Sequence, residues 1–212
     1  MTDRTTDIHC DRCHKYMHSI GPLEKVPVSN VCSQCDANPV GVLASLMDGG
    51  WIERYHIKGQ RMLTRQSVAE HSWRLAAVIF AVARKPRAEL VLAALFHDVS
   101  ERVTGDMPSN VKRANPVLAQ ALREVSMAEE IRLGIRFDLS EQEQRLLAWA
   151  DRYEGAMHCL DEYTMGNRFV VKTMLRYYEY CSGDEYKLKD PNEERRRNVL
   201  MQELEKSVSH LL

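Results

Sequence analysis

Two adjacent residues, His97 and Asp98, follow the apolar run at positions 90–96. A neutral imidazole and a carboxylate side by side can hold one divalent cation. Residues three and four apart share a face of a helix, so Glu101 is expected beside both His97 and Asp98. Its carboxylate could donate or accept a proton during a reaction. For a lone His-Asp pair at a helix end, a cap or a satisfied polar group is the common alternative. The pair therefore indicates a reaction centre only if further ligands are expected elsewhere.

Two further candidate ligands, His71 and Asp151, are expected on other helices. Ser67 and Glu70 have the spacing of a capping box, which predicts a helix to about residue 83 with His71 in its first turn. A surface histidine is the alternative for His71. Asp151 follows a short apolar run, and a buried carboxylate there must be paired or bound to a metal. Two imidazoles and two carboxylates suit one Zn, Mn, Co or Fe ion with open positions for water and phosphate.

Helical patterns extend over the whole region that carries these residues. A short helix is predicted over 40–47, before a glycine pair. Asn115 before Pro116 predicts a helix to about residue 133, and Ser140 with Glu143 predicts another to about residue 164. Two more are predicted over 169–181 and from 191 to about 210, whereas 51–66 and 104–116 are predicted to be loops. No strand alternation or repeat is evident, so the sequence predicts an all-α fold.

Four of the six cysteines form two CxxC pairs, Cys10 with Cys13 and Cys32 with Cys35. Four thiolates at that spacing predict a closed, tetrahedral structural zinc site, and zinc would supply the folding energy of this short segment. We therefore predict a zinc-knuckle segment over 1–38 and a catalytic domain over 39–212. The segment could dock a partner or simply stabilise the N-terminus, and the second interpretation is favoured.

The overall composition is that of an ordinary globular protein. Of the 212 residues, 44% are hydrophobic and 28% charged. The net charge of −1 gives no basic field for nucleic-acid wrapping, so a nucleic-acid partner is not expected. The N-terminus lacks an apolar signal segment and no apolar run could span a bilayer, so we expect a cytoplasmic protein without a membrane partner. Cys159 and Cys181 are expected to be small buried hydrophobes.

The two predicted loops carry candidate substrate-binding residues. Trp51, Arg54 and Arg61 lie in the first, and Asp106 and Lys112 in the second. Loops beside a metal site often bind substrate, and basic side chains there suit an anionic ligand. The alternative is a solvated connection with Trp51 packed into the core.

Together these motifs resemble the HD-domain phosphohydrolases. The resemblance covers about residues 43–185 and depends on SVAEHS, FHDVSERVTGDMPSNVK and ADRYEGAMHCLDEY. Within that superfamily the sequence looks most like the bacterial 5′-deoxynucleotidases and the phage dATP triphosphohydrolases, through EHS, HDxSE, TGDxPxxVK and the later AD. It implies an all-α HD-domain helical bundle and a homo-oligomer. A zinc knuckle ahead of an HD domain looks phage-like.

The resemblance also implies roles for individual residues. One divalent Zn, Mn or Co ion would be bound by His71, His97, Asp98 and Asp151. Glu101 would act as acid and base, and Asp106 would lie near the water or the deoxyribose hydroxyl. Lys112 would contact phosphate, either Arg54 or Arg61 would supply the arginine that the family has ahead of EHS, and Trp51 would contact the base.

Two classes of function are compatible with these residues. The favoured hypothesis is a dATP or dNTP triphosphohydrolase that releases deoxynucleoside and triphosphate, with a 5′-deoxynucleotidase that releases phosphate from dNMPs as the alternative. Alarmone hydrolysis is disfavoured, because those enzymes resemble HDxxED and Arg102 follows Glu101 here. The non-enzymatic alternative is a zinc-ribbon adaptor on an HD scaffold. Such an adaptor should have lost a metal ligand or the acid, and all five of those residues are present.

Overall fold

The computed structural model describes residues 6–9, 16–20, 39–55 and 62–211. Within these ranges the chain is almost entirely helical, which confirms the predicted all-α class. None of the helices in those ranges combines the length and the apolar character needed to cross a membrane. In chain order the helices are α1 Pro39–Gly50, α2 Val68–Ala83, α3 Ala88–Phe96, α4 Glu101–Thr104, α5 Ser109–Ala114, α6 Pro116–Leu133, α7 Glu141–Thr164, α8 Val171–Cys181 and α9 Pro191–Val208. Short 3-10 turns cover Arg168–Val170, Asp184–Tyr186 and Ser209–Leu211.

A small two-stranded antiparallel sheet precedes the helices. Strand β1, Thr6–His9, pairs with β2, Tyr16–Ile20, with Thr6 opposite Ile20 and an irregularity between Ile8 and His9. These strands are not predicted from the sequence, because segments of four and five residues are too short to show a periodic pattern. The four clustered cysteines lie outside the described residues, so the zinc knuckle stays a prediction.

Predicted caps fix the starts of three long helices. The Ser67 hydroxyl accepts a hydrogen bond from the Glu70 amide at the start of α2. The Asn115 side chain accepts one from the Leu118 amide at the start of α6. At the start of α7 Ser140 and Glu143 form the reciprocal capping box. These starts therefore agree with the sequence prediction.

Two predicted boundaries differ from the structure. Helix α3 ends at Phe96, and residues 97–100 form a turn before α4, so the apolar run does not continue as one helix through Glu101. His97 Nδ1 lies 2.9 Å from Ala94 O, which a continuing helix would reserve for the Asp98 amide. The predicted loop 104–116 contains α5, whose six residues are too few to show helical periodicity.

The chain divides into two compact units. The first comprises residues 1–52 and 99–136, and the second residues 53–98 and 137–212. In the first unit a Cβ on Gly49 of α1 would lie 2.9 Å from the Val99 carbonyl oxygen, so the backbones approach closely there. Glu129 of α6 accepts hydrogen bonds from Arg102 and Arg132. Burial raises the pKa of Glu129, but these hydrogen bonds and charges outweigh burial and lower it.

The second unit contains the main hydrophobic core. Helices α2, α3, α7, α8 and α9 contribute its fully buried side chains, among them Leu75, Ile79, Leu90, Leu146, Trp149, Met174 and Leu204. Cys159 and Cys181 are both fully buried in it, as predicted. Burial raises the pKa of each thiol to about 12, so both remain protonated and inert.

Candidate metal centre

His71 is the most deeply buried of four candidate metal-ligating side chains that cluster in the second unit. The Ser67 cap starts α2 so that His71 lies in its first turn, and its side chain is 0% exposed. His97 and Asp98 follow the end of α3, and Asp151 lies in the middle of α7. The side chains of these three are 18%, 24% and 30% exposed, so the cluster is partly accessible to a ligand.

The ligating atoms of the cluster converge on one small volume. His71 Nε2 lies 3.2 Å from His97 Nε2, 3.2 Å from Asp151 Oδ1 and 3.8 Å from Asp98 Oδ2. His97 Nε2 lies 3.2 Å from Asp98 Oδ2. The structure therefore brings together all four residues that the sequence analysis nominated as ligands.

Hydrogen bonds at the outer nitrogens determine how the two imidazoles face the cluster. His71 Nδ1 lies 2.5 Å from Glu154 Oε2, and His97 Nδ1 lies 2.9 Å from the Ala94 carbonyl oxygen. Both partners are acceptors, so each imidazole donates from Nδ1 and its neutral form directs the Nε2 lone pair into the cluster. Arg152 orients Asp151 in the same way, donating to Oδ2 at 2.6 Å while Oδ1 faces His71.

The charges within the cluster reinforce one another. Burial lowers the pKa of His97, but the adjacent Asp98 carboxylate outweighs burial and raises it to about 9. Burial raises the pKa of Asp151, but the hydrogen bond and charge of His71 outweigh burial and lower it to about 2. The pKa of Asp98 is held well below its usual range against burial, chiefly by His97. Both carboxylates are therefore ionised near neutral pH.

Behind His71 lies a buried carboxylate, Glu154, that is 1% exposed. Its Oε2 atom contacts His71 and lies 3.4 Å from Arg54 Nη1. Its Oε1 atom accepts from Gln66 Nε2 at 2.8 Å and lies 3.0 Å from Arg74 Nε. Burial raises the pKa of Glu154, but the His71 hydrogen bond and the nearby cations outweigh burial and lower it.

One stripe of side chains along α7 contributes to the metal centre and also contacts the segment that precedes α2. Asp151, Glu154, His158 and Glu162 recur at helical spacing along it. Tyr55 stacks on His158 with ring centroids 5.5 Å apart. Glu162 accepts hydrogen bonds from the Leu63 and Thr64 amides at 2.7 and 2.8 Å. The described parts of the segment before α2 are thus attached at several points along a single helix.

Comparison with known proteins agrees with this geometry. The profile of the family described as 5′-deoxynucleotidase YfbR-like matches residues 42–180, which include all four residues of the cluster. The chain belongs to this YfbR-like family. A 5′-deoxynucleotidase of Vibrio atlanticus is 30% identical over 143 residues, 56% of this chain and 74% of that protein. A 5′-deoxynucleotidase of Yersinia pestis is 29% identical over 140 residues, 55% of this chain and 71% of that protein.

The fold also agrees with that of a solved HD-domain phosphohydrolase. The Listeria innocua protein superposes with a TM-score of 0.52 at 23% identity, over 79% of this chain and 98% of that one. The fold that the resemblance to the HD-domain phosphohydrolases implied is therefore confirmed. From its place in the YfbR-like family and its 5′-deoxynucleotidase relatives, the chain is a hydrolase that acts on phosphoric esters.

The donor set fits a divalent metal ion. His71, His97 and Asp151 each offer a ligand atom, and these atoms all lie within 4.8 Å of one another. With both imidazoles donating from Nδ1, two nitrogen lone pairs point at the same volume as two anionic carboxylates. This arrangement is electrostatically unfavourable unless a cation or proton lies between them. Nitrogen and carboxylate ligands of this kind suit Zn, Mn or Co.

The other nominated residues are distributed as follows. Arg54 lies in the second unit, and its side chain is only 10% exposed. Glu101 begins α4, Asp106 follows it, and Lys112 lies in the last turn of α5, all within the first unit. Trp51, also in the first unit, is 79% exposed, so it is not packed into the core. Arg61 lies outside the described residues.

Three residues that surround His71 are not predicted from the sequence: Glu154, Gln66 and Arg74. Glu154 had a recognisable signal, since it follows Asp151 by three residues and therefore shares its face of α7. Gln66 and Arg74 had none, because their role depends on the fold bringing α2 against α7.

Proposed function

We propose that this chain is a 5′-deoxynucleotidase that hydrolyses deoxynucleoside 5′-monophosphates to deoxynucleoside and orthophosphate. The observation that carries the proposal is the convergence of His71, His97, Asp98 and Asp151 on one volume, within the region that matches the YfbR-like family. The relatives in Vibrio atlanticus and Yersinia pestis, both 5′-deoxynucleotidases, support this choice of substrate.

In this proposal the four residues hold one divalent Zn, Mn or Co ion. When bound, such an ion polarises a phosphoryl oxygen and lowers the pKa of a water molecule. His71 and His97 each supply a neutral nitrogen, fixed by the acceptor at its own Nδ1. Asp98 and Asp151 supply the negative charge that balances the ion, and Arg152 keeps one Asp151 oxygen directed at His71.

Arg54 is the arginine we assign to the substrate phosphate. Its guanidinium donates to Gln66 Oε1 at 3.1 Å and to Glu154. Its positive charge is one of the causes that lower the pKa of Asp98. Burial lowers the pKa of Arg54, but neighbouring groups that include Asp98 and Asp151 outweigh burial and raise it. A guanidinium fixed in this way can neutralise the phosphate oxygens that do not react.

The remaining roles are proposed from the sequence motifs. Glu101 would exchange a proton with the attacking water or the leaving oxygen, and Asp106 would lie near that water or the deoxyribose hydroxyl. Lys112 would contact phosphate and the exposed Trp51 would contact the base. In the same proposal the N-terminal cysteines hold a structural zinc ion and the chain forms a homo-oligomer.

A product assay tests the proposal. The purified chain is given each dNMP and each dNTP with Mn²⁺, Co²⁺ or Zn²⁺, and orthophosphate and triphosphate are measured separately. Orthophosphate from dNMPs, with no triphosphate from dNTPs, is the expected result. Triphosphate released chiefly from dATP would replace the proposal with the dNTP triphosphohydrolase that the sequence analysis favoured. No product from either set, with metal still bound, would favour the adaptor.

A further inference from the structure

We infer that Glu154 is a positioning residue that holds both the metal-facing His71 and the phosphate-facing Arg54 from one carboxylate. The Arg54 part of this inference depends on the proposed function, whereas the His71 part depends only on the metal centre. The single oxygen Oε2 lies 2.5 Å from His71 Nδ1 and 3.4 Å from Arg54 Nη1.

The neighbours of Glu154 make the carboxylate form essential. A buried carboxylate is costly unless donors or cations surround it, and this one is 1% exposed. The polar groups that contact its two oxygens are donors: His71 Nδ1, Gln66 Nε2, Arg54 Nη1 and Arg74 Nε. An amide in its place would turn an NH₂ group toward donors on one side or the other. Glutamine therefore cannot satisfy both sides, although it has the same shape.

The contact with His71 determines which nitrogen faces the metal. An acceptor at Nδ1 keeps a proton there, so in the neutral ring the lone pair lies on Nε2, which faces Asp151 and His97. Without that acceptor the proton can move to Nε2, and the imidazole in that tautomer cannot bind a cation through the nitrogen that faces the cluster. Glu154 therefore lowers the free-energy cost of preparing the metal site.

The contact with Arg54 extends the same effect to the substrate. Gln66 is fixed by Glu154 through its NH₂ group and by Arg54 through its amide oxygen, so the three side chains form a closed hydrogen-bonded ring. The Arg54 amide also donates to the Gln66 carbonyl at 2.9 Å, which holds the two backbones together. Loss of the Glu154 charge should therefore loosen Arg54 as well as His71.

The first experiment measures metal affinity without any substrate. Mn²⁺ binding to the full chain is followed by electron paramagnetic resonance, because thiolate sites select zinc and Mn²⁺ reports on nitrogen and oxygen ligands. Glu154→Gln should raise the Mn²⁺ dissociation constant by about 10- to 100-fold, the usual effect of losing such a partner. A folded Glu154→Gln protein whose constant is within about twofold of the wild type would overturn the inference.

Glu162→Gln is the matched control. Glu162 is also a fully buried carboxylate on α7, but its partners are the Leu63 and Thr64 amides and Asn167 rather than a metal-facing side chain. It should lower stability and leave Mn²⁺ affinity within about twofold of the wild type. An equal loss of Mn²⁺ affinity in both variants would mean that Glu154 acts only through general stability.

Nitrogen NMR of the wild-type chain keeps the inference testable if Glu154→Gln does not fold. The ¹⁵N shifts of the histidine side chains, with His71 assigned by its disappearance in His71→Asn, should show a proton on Nδ1 and none on Nε2 in the neutral ring. A neutral His71 protonated on Nε2 would overturn the inference without any variant of Glu154.

Steady-state kinetics test the Arg54 part. At saturating Mn²⁺, Arg54→Lys should raise KM for the phosphate ester and leave the Mn²⁺ dissociation constant unchanged. Glu154→Gln should raise both, and the two KM effects should be less than multiplicative in the double variant. Multiplicative KM effects would show that Arg54 and Glu154 act independently, which would overturn the Arg54 part of the inference. If no ester is turned over, the proposed function fails while the Mn²⁺ measurement still decides the His71 part.

Discussion

The Nε2 atoms of His71 and His97 lie 3.2 Å apart, and each imidazole has a hydrogen-bond acceptor at its Nδ1 atom. A proton or a metal ion held between the two Nε2 atoms leaves an N–H group at both Nδ1 atoms, and each of these groups needs such an acceptor. The pair is therefore organised to present two lone pairs to a third species, which Asp98 and Asp151 require to be positively charged.

Asp98→Ala should abolish turnover, because it removes one of two carboxylates that balance the proposed metal ion. We expect a fall in kcat/KM of at least about 1,000-fold, equivalent to about 4 kcal/mol of transition-state stabilisation. Elemental analysis should show loss of the catalytic metal with any zinc at the N-terminal cysteines retained. Asp184→Asn, at an 87% exposed carboxylate that pairs with Lys187, is the control and should keep full activity. Full activity in Asp98→Ala would refute the ligand assignment.

Metal binding should release a proton from His97. Its pKa is about 9 because the Asp98 charge outweighs burial, so His97 is mainly protonated at pH 7 without metal. The ion must displace that proton, and apparent affinity should rise by up to about tenfold per pH unit between pH 6.5 and 8.5. Calorimetry of Mn²⁺ binding in two buffers of different ionisation enthalpy measures the released proton. A heat that does not depend on the buffer would contradict the prediction.

Glu162→Gln should make stability less dependent on acid pH. Hydrogen bonds from Asn167, Thr64 and Leu63 outweigh burial and lower the pKa of Glu162 from 4.5 to about 2. A lowered carboxyl pKa stabilises the fold above pH 4.5, and the gain disappears as pH falls toward 2. The wild type should exceed the variant by about 1–3 kcal/mol at pH 7 and converge with it on acidification. Urea midpoints across pH 7 to 3 test this, and a constant gap would count against it.

Gly49→Ala should destabilise the first unit. The added Cβ would lie 2.9 Å from both the Val99 carbonyl oxygen and Cγ1, closer than real Cβ contacts. Overpacking of this kind costs about 1–3 kcal/mol, against about 1 kcal/mol gained in helix propensity. Thermal unfolding measures the balance, with the 72% exposed Val40→Ala on the same helix as a near-neutral control. A variant as stable as the wild type would show that Val99 moves aside easily.

The sequence was sufficient to predict features that depend on one helix. The caps at Ser67, Asn115 and Ser140 follow local hydrogen-bonding rules, and the ligands are recognisable from their types and spacing. Contacts between elements were not predictable, because they require the packing itself. Arg54 is the clearest case: sequence alone left it equivalent to Arg61, and its burial against Glu154 became visible only with α2 and α7 in place.

The stripe on α7 has an evolutionary consequence. A ligand, its positioning carboxylate, a stacked histidine and a loop anchor occupy positions 151, 154, 158 and 162 of one helix. Each added residue turns an α-helix by about 100°, so one insertion after Glu154 would swing His158 and Glu162 away from the segment they hold. Natural selection should therefore remove insertions and deletions between these positions far more strongly than substitutions. Any change of length that is tolerated in this stretch should be close to a whole number of helical turns.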